Sequence, residues 1–401
     1  MGSYSHLKIS RLNICISKNY LVDHSTLFSE ADKTNIQYYY ADATEIHPGY
    51  SIKLYMLVNR LNLLGFSHKS LIASINYYIK NNEALNGSFD IDNLFQLITQ
   101  IDITKSIYDE EHNYFDGSEL SAKIAELIIR NSKYNCFQRL IFQIGELIDS
   151  LHHYHILAMF IFLKINLNEN VEWEYYDLIE GGYINENHVF KNIKNNPPYL
   201  IITEGSSDSY IIQKAFHWIY PDIADFFEHI DMKQNYPFTG VGQIVNFYHG
   251  ILKIKTERTI LFIFDNDTAG TSALNKCINP PENIKLLQLP DNVKFNNFMT
   301  IGPSGESCDN INKKAASIEL YFDLDYKNSS PPVIRWTSFD NTTNTYQGEL
   351  INKTHYQKLF YDAESIKDSA YDLSLLKCLL DYIINNITIM KEDEITALNC
   401  V

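Results

Sequence analysis

Apolar and polar residues alternate at the start of the chain. Leu7, Ile9, Leu12, Ile14 and Ile16 recur with the two-residue period of a half-buried strand, so one or two short strands are predicted over residues 5–22. The period then lengthens. From about residue 51 to 167 apolar positions fall three and four apart, as in Leu54, Leu57, Leu61 and Leu64 and again in Ile124, Leu127 and Ile128, which predicts a largely helical region. Residues 185–198 are polar, rich in Asn and end in Pro197-Pro198, which disfavours helix and marks a linker. Beyond it, apolar strand-like runs at 199–203, 259–264 and 284–289 alternate with helical patterns at 208–220, 243–253 and 269–277. That is the βαβ order of a parallel sheet. A hairpin joining 333–337 to 346–350 and a final helix near 373–387 complete the prediction.

The predicted organisation is therefore α/β in three parts. Residues 1–195 form a mostly helical domain with short N-terminal strands, suited to recognition or regulation. Residues 196–325 form a parallel sheet flanked by helices, and residues 326–401 form a small α+β extension of hairpin and helix.

Two short acidic motifs sit where that sheet would expose them. Glu204-Gly205-Ser206-Ser207-Asp208 follows the run Leu200-Ile201-Ile202-Thr203, and Asp265-Asn266-Asp267-Thr268-Ala269-Gly270 follows the run at 259–264. Loops and helix N-termini converge at the carboxyl ends of parallel strands, and ligands collect there. Gly205 permits the tight turn, and Ser207 or Asp208 can cap the helix that follows, so Asp208 reads as cap, ligand or both. Residues two apart on an extended chain point the same way, so Asp265 and Asp267 can converge on one cation. Two such carboxylates repel unless neutralised, and Mg²⁺ or Mn²⁺ suits carboxylate oxygen. For either motif alone, a capping or solvated turn is the blander account.

The order of the two motifs resembles the Toprim domain of primases, topoisomerases and OLD-family nucleases: both lie at strand ends, about sixty residues apart, with one further βα unit between them. Phe238-Thr239-Gly240-Val241-Gly242 is similar to the Gly-bearing strand-to-helix connection of that fold. The resemblance covers roughly residues 199–290. It implies that Glu204 is a general acid/base or a metal ligand, that Asp265 and Asp267 carry the metal, and that Asp208 is the second acidic position of nuclease-type members. Glu319 and Asp309 are further carboxylates that a second metal would use, against the plainer roles of exposed helical Glu and helix N-cap. Lys353, with Lys313, Lys314 and Arg335, is a candidate to meet phosphate, Lys353 as a catalytic residue. The stretches around Arg335-Trp336-Thr337 and Tyr346-Gln347-Gly348-Glu349 mix aromatic and polar groups able to stack on nucleic acid, or to form a solvated hairpin edge.

Composition narrows the function. Lys plus Arg number 33 against 49 Asp plus Glu, a net charge of -16, which argues against electrostatic coating of DNA or RNA and leaves that role to cations and local basic patches. Six scattered cysteines without a CxxC pair fit a reducing cytoplasm and provide no zinc module of the kind a primase uses. There is no signal-peptide pattern, and the most apolar stretch, residues 156–163, is far shorter than the roughly 20 residues of a membrane span. The 28 tyrosines raise a topoisomerase, but no DNA-gate domain is recognisable. His152, His153 and His155 are better read as partly buried or as a solvated face than as a metal site.

The N-terminal part, through its opening strands, Leu27, Phe28, Asp32 and its helical remainder, resembles the HEPN/Toprim-associated domains of bacterial defence proteins. It lacks their ribonuclease signature, since no Arg has a His five residues on, and no Walker A loop is present. The expectation is a Mg²⁺-dependent (or Mn²⁺-dependent) cytoplasmic Toprim endonuclease acting on DNA or tRNA, an anti-phage effector controlled by self-inhibition or by a separate ATPase or other partner, and able to form homo-oligomers. The alternatives are a non-catalytic binding module and a primase-like nucleotidyl transferase.

Overall fold

In a computed structural model the chain is described over residues 2–39, 43–82, 85, 90–104, 118–130, 138–187, 189, 198–230, 241–341 and 343–398. The linker residues 191–197 and the Phe238-Thr239-Gly240 stretch lie outside these. The chain divides into two units, Met1–Asn196 with Ile387–Val401, and Pro197–Asn386.

The first unit holds an antiparallel sheet of five strands, ordered β2-β1-β5-β4-β3: β1 (Tyr4–Ile9), β2 (Leu12–Lys18), β3 (Lys33–Tyr39), β4 (Thr44–Lys53) and β5 (Asn170–Glu174). Its helices are α1 (Val58–Leu63), α2 (His68–Asn81), α3 (Ile91–Ile98), α4 (Glu119–Arg130), α5 (Gln138–Ser150), α6 (His153–Phe162) and α7 (Tyr176–Glu180). The expected mostly helical domain is corrected here, because the strands are substantial. β4 contains Pro48-Gly49, which reads as a turn in sequence. In the sheet Gly49 is needed for close approach, since a Cβ there would lie 2.3 Å from the Ile36 side chain and 3.0 Å from the Trp173 carbonyl. β5 reads NVEWE, too polar to announce itself, yet Trp173 is fully buried between Leu7 and Tyr50 on its neighbours.

The apolar run at 156–163 falls largely in α6, which is buried nearly all round, and among the described residues no helix is long and apolar enough to cross a membrane. Burial pushes His152, His153 and His155 down to about 4, 3 and 4. They stay neutral and pack: His152 stacks on Phe66 at 4.5 Å, and the His155 ring nitrogen Nε2 lies 3.2 Å from the Ser70 hydroxyl.

The second unit is built on a parallel sheet ordered β10-β8-β6-β7, with β6 (Tyr199–Thr203), β7 (Phe227–His229), β8 (Thr259–Phe264) and β10 (Ile284–Gln288). Every residue of β8, TILFIF, is buried, as befits a central strand covered on both faces. The helices are α8 (Ser206–Ile219), α9 (Val241–Ile254), α10 (Thr268–Leu274), α11 (Lys353–Ile366) and α12 (Ser374–Leu398), the last reaching into the residues counted with the first unit. A second sheet runs β12-β11-β14-β15, from β11 (Phe298–Gly302), β12 (Gly305–Asp309), β14 (Ile334–Asp340) and β15 (Thr345–Leu350). The short strands β9 (Asn266–Asp267) and β13 (Ala315–Ala316) pair antiparallel.

Candidate acidic centre

Strand order fixes where this unit can act. From β6 the chain passes through α8 outward to β7, then returns through α9 to β8 on the other side of β6 and continues outward to β10. The connections diverge between β6 and β8, and in such sheets the crevice beyond the carboxyl ends of those two strands is the binding position. Glu204 is the residue after β6, and Asp265 the residue after β8. The two are joined directly: the Asp265 backbone N–H donates to Glu204 Oε1 at 3.1 Å.

The neighbouring acids are held by local rules. Asp208 sits in the first turn of α8, where its carboxylate accepts the Gly205 N–H at 3.0 Å and the Ser207 hydroxyl at 3.0 Å. Asp267 is the N-cap of α10, accepting the Gly270 N–H at 2.6 Å, and its other oxygen accepts the Gln347 amide at 2.6 Å. Glu319, which the sequence allowed to be an exposed helical residue, lies in a 3₁₀ turn and is completely buried. Lys353 pairs with it at 3.0 Å, and Gln357, one turn along the same face of α11, donates to it at 2.8 Å. Ser317 supplies a third bond, at 2.7 Å.

Burial and crowding of like charge raise Glu204, Asp208 and Asp265. The Glu204 carboxyl is pushed up to about 8, by burial first and then by Asp267 and Asp208, against the Asp265 N–H and Lys353. Asp208 is pushed up to about 6 by burial and Glu319. Asp265 is raised well above its ordinary range by burial, then by Asp208, Glu204 and Asp267. For Lys353 burial works against the charge, but Glu319, Asp208 and Asp265 outweigh it and hold the ammonium above its usual value. So five carboxyls interact, four of them with Lys353.

This donor set suits a hard divalent cation: it is all carboxylate oxygen, in excess of local positive charge, and among the described residues no hydrogen bond or ion pair engages the Asp265 carboxylate. As the side chains stand, no three His, Cys, Asp or Glu groups among the described residues converge as a metal cage. Asp208, Asp267 and Glu319 are drawn toward protein donors instead.

The remaining sequence candidates fall elsewhere in the unit. Asp309 is tied to its own hairpin, accepting from Thr300 at 2.6 Å and Ser307 at 2.7 Å, bonds that hold its carboxyl below the usual range. Lys313 is largely exposed, 3.9 Å from Asp291, and Arg335 is exposed on β14. Sequence reasoning quotes Gln347 only within a possible nucleic-acid-gripping stretch and not beside the acids, yet it bonds Asp267 and also accepts the Ala269 N–H at 3.0 Å; it missed Gln288, which donates to the Asp265 carbonyl at 3.1 Å. Neutral amides carry no charge pattern by which to find them. Gly270 was quoted only as the end of a motif. A Cβ there would lie 2.2 Å from the Asp265 carbonyl oxygen and 2.9 Å from Glu204 Oε1, so the helix can approach both acids only because this residue has no side chain.

Strand order and acids define the second unit as an α/β module with an acidic centre at its switch point. Residues 1–196 match the family model HEPN/Toprim N-terminal domain 1. That match ends before the acidic centre. No curated protein and no solved structure matches the chain.

Proposed function

We propose that residues 199–353 form a Toprim-type nuclease centre that hydrolyses phosphodiester bonds in DNA or in a structured RNA such as tRNA, using Mg²⁺ or Mn²⁺. The observation that carries this reading is the meeting of Glu204 and Asp265 across the switch point, ringed by Asp208, Asp267 and Glu319. Glu204, Asp265 and Asp267 would hold the cation, with Asp208 and Glu319 available for a second. A bound divalent ion supplies charge neutralisation at a phosphate and a water of lowered pKa. The chain's own part is to position and to move protons. Glu204, raised to about 8, keeps its proton at neutral pH in the absence of a cation, and so can pass between acid and base forms near working pH. Lys353 offsets negative charge on the Glu319 side of the centre.

In this reading the protein is a cytoplasmic effector of bacterial anti-phage defence. The first unit recognises, regulates or oligomerises, and control comes from self-inhibition or from a separate ATPase or other partner. Purified protein with Mg²⁺ or Mn²⁺ should cut plasmid or total tRNA, and Glu204→Gln or Asp265→Asn should abolish the cutting. Undiminished cutting by both variants would sink the mechanism. A non-catalytic binding module is the second reading, favoured by the protein hydrogen bonds that already engage Asp208, Asp267 and Glu319; it predicts binding without cleavage by wild type. A nucleotidyl transferase would incorporate nucleotides in the same assay.

A further inference from the structure

The second sheet carries a cleft of about 400 Å³, lined by Trp336, Phe339 and Tyr346, by Lys314 and Asp309, and by the turn at 302–305. That volume lies within the roughly 300–1,000 Å³ of small-ligand sites. The three rings form one wall, with Phe339 and Tyr346 5.0 Å apart edge to face and Trp336 6.1 Å from Tyr346. Phe339 and Tyr346 are each nearly half exposed, at 45% and 49%. Trp336 has glycine on both flanking strands. A Cβ at Gly302 would lie 3.0 Å from its Cδ1, and one at Gly348 3.0 Å from its Cε3, so the indole spreads across the sheet where side chains would otherwise hold it off. The turn at Gly305 takes a positive φ of 97°, which glycine adopts freely and which leaves that rim without a side chain.

This wall adjoins the acidic centre through consecutive residues. Tyr346 precedes Gln347, whose amide bonds Asp267, and the Tyr346 carbonyl accepts the Thr268 hydroxyl at 2.9 Å. Lys314 precedes β13, which pairs with Asn266–Asp267. These bonds tie the strand that carries the Tyr346 ring to the loop that carries Asp267, while alternation along the strand turns the ring and the Gln347 amide to opposite faces. Asp309 is engaged by Thr300, Ser307 and the Trp336 side chain, which holds the indole in place, and the Lys314 ammonium on the same lining can meet a phosphate. In a duplex the base faces are already stacked. The chain's net charge of -16 also provides no general field for duplex phosphates.

We propose that Trp336, Phe339 and Tyr346 form a stacking platform for unpaired bases, making the substrate of the neighbouring centre a single-stranded or unpaired segment. The proposal rests on the nuclease reading for its substrate, but base stacking needs no metal and is measurable without cleavage.

The test uses the full chain in EDTA, titrated against a short fluorescent single-stranded oligonucleotide and the same sequence as a duplex. Wild type should prefer the single strand. Trp336→Ala and Tyr346→Ala should each weaken it between about 5- and 150-fold, the range for loss of one base–aromatic stack. Trp336→Phe, which keeps a ring, should bind close to wild type. Phe339→Ala, at a half-exposed position that tolerates truncation, should also weaken binding with an unchanged melting temperature. Equal or tighter duplex binding, no binding by wild type, or undiminished binding by the alanine variants would each overturn the platform. If those variants bind and cut like wild type while Glu204→Gln does not cut, the platform fails and the nuclease stands. If stacking holds but Glu204→Gln leaves cleavage unchanged, the reverse is true.

Discussion

Replacing Glu204 by Gln removes one ionisable group from five interacting acids and keeps the oxygen that accepts the Asp265 N–H. In the folded chain this carboxyl is pushed from 4.5 to about 8, chiefly by burial and then by Asp267. The sign of the pH effect follows. Between those values the folded state binds a proton that the unfolded state has released, so stability is full below about pH 4.5 and is lost as pH rises through 8. At about 1.4 kcal/mol per unit, complete ionisation of Glu204 costs on the order of 5 kcal/mol without a cation. The amide introduced by Glu204→Gln never ionises and leaves the remaining acids less crowded, so most of that cost is removed at pH 8 and almost none at pH 5. Taking about 3 kcal/mol as the gain at pH 8, and a second unit of 190 residues from Pro197 to Asn386 (386 minus 196), the melting temperature should rise by roughly 6–12 °C. The assay is thermal unfolding in EDTA from pH 5 to 9, then again with Mg²⁺. Wild type should lose stability as pH rises and regain it with the cation, while the variant should be flatter in pH and gain less from Mg²⁺. A variant that melts below wild type at pH 8 in EDTA would refute the electrostatic account. So would a wild-type melting temperature that does not fall with rising pH.

Two further outcomes are expected. Lys353→Met leaves the fully buried Glu319 without its cation, and because Lys353 is itself 40% exposed the loss should be about 2–3 kcal/mol, below the range for a fully buried pair, and smaller at acidic pH; chemical denaturation at pH 5 and pH 8 reads this directly. Gly270→Ala forces a methyl against the Asp265 carbonyl and the Glu204 carboxylate, so it should destabilise by about 1–3 kcal/mol and reduce cleavage together, whereas loss of neither would show that α10 can shift freely away from β8.

Much of the second unit was legible because its signals are local. The continuous apolar run of β8, the Glu-Gly turn after β6 and the pair Asp265 and Asp267 all fall within single segments, and the parallel sheet followed from their alternation with helices. What escaped depends on partners distant in sequence. β3 buries two of its seven residues, β5 is five residues long and carries two glutamates, and β4 carries a Pro-Gly pair whose purpose appears only when Ile36 and Trp173 are placed against it. The burial of Glu319 likewise rests on Lys353 and Gln357, more than thirty residues away. Gln347, eighty residues from Asp267, has no sequence signature that ties it to that acid.

The acids that meet at the switch point arrive at very different times during synthesis. Glu204 leaves the ribosome about sixty residues before Asp265, while Lys353 and the rings of the second sheet follow later still. Domains fold as units once their chain is complete. A nascent or truncated chain that ends before Asp265 has half a centre and no platform. If the complete protein cuts nucleic acid, forms that end before Asp265 lack part of the acid set proposed to do so.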